Sequence, residues 1–256
     1  MKEGLVITSF GTSVPEAGAG IAAVEKVLKE TAPHAVAVRA YTSPTIRRIL
    51  AGRGQNVFSL NEALEYLTQT DVERVVVQPT HLLYGYEYEK LKAEAERFAG
   101  RFETVTVGRP LLANNDDLMW FAKKIAETNP QRDGAGVVYM GHGTGHFANA
   151  VYPALQTALH LIGRDDIYIG TVEGWPGLED ILKQLKTPCQ IRLLPLMLVA
   201  GEHAKNDMAG EWKSSLEQAG HSVQCEFTGL GELEWIQERY GKKLREVLEF
   251  GMEAGK

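Results

Sequence analysis

Cysteine is scarce: Cys189 and Cys225 are the only two in 256 residues, and neither belongs to a CxxC pair. A disulfide framework and a thiolate zinc site are therefore not expected, and the usage fits a reducing compartment. Long apolar runs are absent as well. The N-terminal run Leu5-Val6-Ile7-Thr8-Ser9-Phe10 stops at Gly11. It is too short for the apolar region of a signal peptide and lacks a small-residue cleavage site. No stretch approaches the roughly 20 apolar residues that span a bilayer. The expectation is a soluble, cytoplasmic protein with no membrane partner. Basic residues are in the minority, 27 against 33 acidic ones for a net charge of −6, whereas nucleic-acid binding calls for a clustered basic surface. Neither HExxH nor a GxxxxGK[ST] phosphate loop occurs, so a zinc-protease reading and an ATP-driven one lose their usual support.

What remains is ordinary in bulk: 44% hydrophobic, 23% charged, 26 glycines and 10 prolines. A chain of this length buries a large core without needing a disulfide or a metal to fold. Short, nearly continuous apolar runs predict strands at Leu5–Phe10, Ala35–Ala40, Val72–Gln78, Thr104–Gly108, Gly136–Met140, Ile167–Val172, Gln190–Leu196 and Ser222–Phe227. That character suits parallel strands covered on both faces. Helical patterns lie between them, at Val14–Glu30, Leu60–Thr68, Tyr86–Phe98, Leu118–Glu127, Val151–Leu161, Leu178–Leu185, Asp207–Gln218 and Leu233–Phe250. The alternation predicts an α/β fold. The polar segment Glu127–Gly134, with its Asn-Pro and Asp-Gly turn signals, reads as a linker between halves 1–128 and 129–256.

The halves resemble each other. One has Ser9-Phe10-Gly11-Thr12 after its first strand; the other has Gly141-His142-Gly143-Thr144. A later strand gives Pro79 and then Gly85 in one half, Pro195 and then Gly201 in the other, a spacing of six in both. Each glycine is followed two residues later by Glu87 or His203. Two similar doubly wound, Rossmann-like halves with parallel sheets are expected, with an active-site cleft between them lined by strand-end loops.

Chemistry concentrates at the predicted strand ends. Met140-Gly141-His142-Gly143-Thr144-Gly145-His146 runs from a strand into a glycine-rich turn carrying two imidazoles, the commonest nitrogen ligands of transition metals. It is not a GxGxxG loop. His142, at the strand end, reads as functional; for His146, ligand and structural roles both stand. Gly201-Glu202-His203 opens the next element but one, and its bland reading is a helix cap, as it is for Asn206 and Asp207. Between them Glu173, in Glu173-Gly174-Trp175-Pro176, ends a third strand. His142, Glu173 and His203, one per successive strand end, offer two imidazoles and a carboxylate with open positions, which suits a borderline divalent ion. A wall of Tyr84, Gly85, Tyr86 and Tyr88 reads either as a stacking surface for a large flat ligand or as helix-start packing. Phe10, Trp175, Met197 and Leu198 add apolar surface at other strand ends. Glu87 is a candidate proton acceptor, and His81 reads as a buried histidine.

In order, Ser9-Phe10-Gly11-Thr12-Ser13, Gln78-Pro79-Thr80-His81 with Gly85–Glu89, Met140–Thr144, Glu173–Pro176 and Pro195–Met208 resemble the anaerobic sirohydrochlorin cobaltochelatases, class II chelatases related to ferrochelatase. The resemblance spans essentially the whole chain. It implies ATP-independent insertion of Co2+, the substrate metal, into a sirohydrochlorin-type tetrapyrrole in early cobalamin biosynthesis, with no organic cofactor. It makes His142, Glu173 and His203 the metal residues and sets Ser9, Phe10, Gly11 and Gly85–Tyr88 near the macrocycle; Glu87 joins the catalytic set on its own position as a proton acceptor. Insertion removes two pyrrole N–H protons, which a histidine or glutamate in hydrogen-bond reach accepts. Arg39, Arg47, Arg48, Arg53 and Lys205 are the cations available to offset the macrocycle's carboxylates. Ni2+ or Fe2+ as the metal, or a non-catalytic tetrapyrrole or metal carrier, are the alternatives; a metal-dependent hydrolase ranks lower, and a homo-oligomer stays open.

Overall fold

The computed structural model describes residues 2–185, 189–201 and 204–253. The described residues form eight strands, β1 Glu3–Ser9, β2 Val36–Tyr41, β3 Arg74–Pro79, β4 Thr104–Val107, β5 Ala135–Gly141, β6 Ile167–Thr171, β7 Gln190–Leu196 and β8 Ser222–Cys225. They build two four-stranded sheets, ordered β2-β1-β3-β4 and β6-β5-β7-β8. All pairings are parallel. The two sheets have the same strand order, as the paired sequence landmarks lead one to expect. In each, the chain leaves the first central strand in one direction and the second in the other. The loops at the carboxyl ends of β1 and β3, and of β5 and β7, diverge there and leave a crevice in which open α/β sheets bind ligands.

Among the described residues the helices are α1 Gly18–Thr31, α2 Pro44–Gly52, α3 Leu60–Thr68, α4 Tyr86–Glu96, α5 Asn115–Thr128, α6 Val151–Leu161, α7 Leu178–Gln184, α8 Lys213–Gln218 and α9 Glu234–Glu253. Successive side chains point to opposite faces of a strand, so a nearly continuous apolar strand feeds a layer on either side. In the first sheet Val6, Val75 and Val77 pack with Leu60, Leu64, Leu67, Leu91 and Phe98. In the second, Val138, Met140, Ile191 and Leu193 pack with Ile181, Met208, Trp212 and Leu216. Local signals begin the helices. Ser59 and Glu62 form a reciprocal capping box on α3, which is worth about 1 kcal/mol. Helix α2 was not among the expected elements; Ser43 caps it and Pro44 fills its first turn, but only Leu50 of its side chains is buried. A π-helical stretch, Ala204–Trp212, precedes α8 where one continuous helix is expected. Its Trp212 ring fills the space beside Gly170, where a Cβ would lie 2.7 Å from the indole.

The chain divides into two compact units, Met1–Leu111 with Gly231–Lys256, and Leu112–Leu230. Their boundaries differ from the 128/129 division. Helix α5 belongs with the second sheet and α9 with the first. The segment read as a linker is pinned within the second unit: Asn129 is buried. Its Nδ2 donates to the Ile125 carbonyl and the Tyr139 hydroxyl, its Oδ1 accepts from Arg192, and its carbonyl accepts from Arg164. In the first unit α9 lies along α1, where Gly241 comes close to Val27 and Thr31. Tyr240 is fully buried and its hydroxyl donates to the Thr80 carbonyl at 2.7 Å.

Candidate functional site

In the second unit, β5 delivers His142 one residue past its end, beside β6, which ends two residues before Glu173. The ladder continues past both strands: Val172 N–H donates to the Gly141 carbonyl at 3.0 Å and Glu173 N–H to the His142 carbonyl at 2.8 Å. Two glycines make the approach feasible. A Cβ on Gly141 would lie 2.4 Å from the Tyr152 ring. Gly143 has φ +79°, and a Cβ there would lie 2.6 Å from the Gly174 nitrogen. Tyr152 is buried, which raises its pKa to about 12, and its hydroxyl accepts the Gly143 N–H at 3.4 Å.

His142 Nδ1 stands 2.9 Å from the Gly143 carbonyl oxygen. A carbonyl can only accept, so Nδ1 carries a proton, and in the neutral ring the lone pair is then on Nε2. Glu173 Oε2 lies 3.7 Å from the same Nδ1, and both side chains are about half exposed. A histidine whose one nitrogen is committed to a carbonyl or carboxylate, with the other presenting a lone pair, is the usual arrangement of a metal-binding imidazole. Among the described residues no three His, Cys, Asp or Glu side chains gather as a metal site. His203, the third residue of the expected set, lies outside the described residues, as does Glu202.

The neighbouring loops add surface. Trp175 is 61% exposed and Phe147, on a 3-10 turn Phe147–Ala150 after His146, is 88% exposed. His146 is committed to this turn, its Nδ1 accepting the Ala148 N–H. The Thr171 N–H and hydroxyl both donate to the Pro176 carbonyl and close the 171–176 loop. Met197 packs against the core of the unit, and its carbonyl accepts the Leu230 N–H; Leu198 is half-buried.

In the first unit the corresponding strand ends carry the other candidates. Ser9 is buried and its hydroxyl accepts from Thr80 Oγ1 at 2.8 Å, tying β1 to β3. Gly11, at φ +96°, lies against the Tyr41 ring, which a Cβ would approach to 2.5 Å. Phe10 and Tyr86 are about half exposed. Tyr84 meets Tyr88 edge to face with ring centroids 4.8 Å apart. Tyr88 itself is buried, donates to the Gly108 carbonyl and has its pKa pushed up to about 12 by burial. Gly85 is the N-cap residue of α4, and Glu87 in the first turn pairs with Lys90 at 2.9 Å. His81 keeps some surface, but both ring nitrogens are buried and lack a hydrogen-bond partner among the described residues. Burial lowers its pKa to about 4, against the attraction of Glu87. Of the cations named for the substrate's carboxylates, Arg39 forms two hydrogen bonds to the buried Glu25, and Arg47 pairs with Glu62. Arg53 donates to the Ser13 carbonyl; the side chain of Lys205 lies outside the described residues.

Asn149 joins the His142 loop to the Glu173 loop, and sequence reasoning passed over it. A lone asparagine set among Phe147, Ala148, Ala150 and Val151 carries no signal of a tertiary role.

Comparison with known proteins fits this geometry. The cobalt chelatase (CbiK) family model matches residues 3–249. The chain belongs to the cobalt chelatase family. The sirohydrochlorin cobaltochelatase of Salmonella typhimurium is 33% identical over 99% of this chain and 99% of its own length. The sirohydrochlorin cobaltochelatase CbiKC of Nitratidesulfovibrio vulgaris is 34% identical over 86% of this chain and 81% of its own. Among solved structures, SirB from Bacillus subtilis with Fe3+ shares the fold of this cobalt chelatase family member, with a TM-score of 0.69, 14% identity and 96% of both chains covered. No helix among the described residues is long and apolar enough to cross a membrane.

Proposed function

We propose that this chain inserts Co2+ into sirohydrochlorin without ATP, with His142, Glu173 and His203 as the residues that hold the metal on its way to the macrocycle. The observation that carries the reading is the His142 imidazole, its Nδ1 proton given to the Gly143 carbonyl and its lone pair on Nε2, beside the Glu173 carboxylate. Two imidazoles and one carboxylate bind a borderline divalent ion and leave coordination positions for exchange to pyrrole nitrogens. Phe10, Tyr86 and Trp175, each large, apolar and about half exposed or more, suit contact with a flat macrocycle. Ser9, Gly11, Tyr84, Gly85 and Tyr88 of the first unit, and Met197 and Leu198 of the second, are assigned the same substrate-binding role. Loss of the two pyrrole N–H protons needs an acceptor, and Glu173 or Glu87 supplies a carboxylate for it.

Cobalt is the metal that the family supports; Ni2+ or Fe2+ is the alternative that the same ligands would accept. The test compares initial rates of anaerobic insertion with Co2+, Ni2+ and Fe2+ in the wild type, Glu173→Gln and Glu87→Gln. Cobalt is expected to be fastest and Glu173→Gln to be slowed more than tenfold with every metal. Nickel or iron faster than cobalt would reassign the metal. Wild-type rates in Glu173→Gln would remove that residue from the site.

A further inference from the structure

The loops that carry His142 and Glu173 are joined near the strands by the backbone bond from Glu173 to the His142 carbonyl. Farther out, one side chain joins them. Asn149 Oδ1 accepts the Thr144 N–H at 3.1 Å, and its Nδ2 donates to the Trp175 carbonyl at 2.6 Å. Thr144 stands two residues after His142, and Trp175 two after Glu173. The fit is two-sided. Gly174 lies against the amide so closely that a Cβ there would sit 2.3 Å from Asn149 Oδ1 and 2.9 Å from its Cγ. A primary amide both accepts and donates; alanine does neither and a carboxylate cannot donate to a carbonyl.

We propose that Asn149 is a positioning residue for the metal site, holding the His142 and Glu173 loops at one separation. The inference rests on the reading that these two residues bind the cobalt substrate. Both side chains are about half exposed, and their spacing follows that of the loops that carry them. A metal site misplaced by a fraction of an ångström loses affinity, which is why groups behind the ligands matter. Gly174 is part of the same device, because only a residue without a Cβ leaves room for the amide.

The experiment measures the Co2+ dissociation constant anaerobically by calorimetry in the full chain. It covers the wild type, Asn149→Ala, Gly174→Ala, the double variant and His142→Ala, with Tm and the KM for Co2+ and for tetrapyrrole alongside. Asn149→Ala and Gly174→Ala are each expected to weaken Co2+ binding by about tenfold. The KM for Co2+ should rise in step, while the KM for tetrapyrrole and Tm change little. The double variant is expected to match Asn149→Ala, because the Cβ has no amide to displace once Asn149 is gone. Unchanged Co2+ affinity in Asn149→Ala, additive losses in the double variant, or a fall in Tm alone would each overturn the inference. Should Asn149→Ala fail to fold, Asn149→Ser is read by the same criteria. His142→Ala binding Co2+ as tightly as the wild type would overturn the reading of the site itself. Weak binding in His142→Ala with normal binding in Asn149→Ala would overturn the positioning role alone.

Discussion

The strand-end placement of His142 and Glu173 is readable in the sequence because one follows buried β5 directly and the other comes two residues after buried β6. Their neighbours are not readable in the same way. Asn149 bridges two loops that are distant in sequence, and the Ser9 hydroxyl accepts from Thr80 across the sheet. Replacing His142 or His203 by alanine is expected to lower cobalt insertion on the order of 100-fold while the circular dichroism spectrum stays that of the wild type. Retained turnover in either variant would remove that histidine from the mechanism. His81 makes a different prediction. Its folded-state pKa is lowered to about 4 by burial, against an unfolded value near 6.5. The unfolded chain therefore binds more protons between these values, and stability falls as pH drops through that window. Between pH 7 and pH 5 this one group should cost about 2 kcal/mol of stability. Urea unfolding of His81→Leu should show a correspondingly shallower loss than the wild type; equal slopes would mean that the ring is not buried in its neutral form.

Among the elements, the strands are the most legible. All eight expected strands form, with ends shifted by no more than about two residues, because parallel strands covered on both faces are written as continuous apolar runs. Helix α2 escaped because it buries little. The π-helical stretch escaped because periodicity does not distinguish it from the α8 helix it leads into, and packing of Trp212 against Gly170 decides it. Charge is harder to assign than hydrophobicity. Arg39 reads as available to an anionic substrate, yet it faces the carboxylate of Glu25, whose side chain is only 3% exposed. Removing the arginine strands that carboxylate in the interior, so Arg39→Leu should destabilise the chain by about 3 kcal/mol. Adding Glu25→Leu should restore most of the loss. The KM for tetrapyrrole should not move in the double variant, and a large rise would return Arg39 to the substrate.

For the whole molecule, the two-sheet α/β plan and the shared strand order follow from the sequence, whereas the path of the chain between units does not. Helix patterns state which face is apolar, not which sheet the face will meet. Asn129 shows the limit. Its Asn-Pro dipeptide signals a turn, but Asn129 itself is buried and bonded to Tyr139, Arg164 and Arg192. A fragment of residues 112–230 should therefore fold alone, with a cooperative urea transition, because it keeps α5 and its buried Phe121 and Ile125. A fragment of residues 129–256 should not, since it lacks α5 and carries α9 without α1. The opposite result would restore the boundary at the Asn-Pro turn.

Catalysis of metal insertion is tested by an anaerobic absorbance time course with excess sirohydrochlorin and Co2+ over the protein. Many equivalents of cobalt product per chain are expected, formed well above the protein-free rate. A spectral change that stops at one equivalent, or no acceleration over the control, would contradict it and leave a carrier.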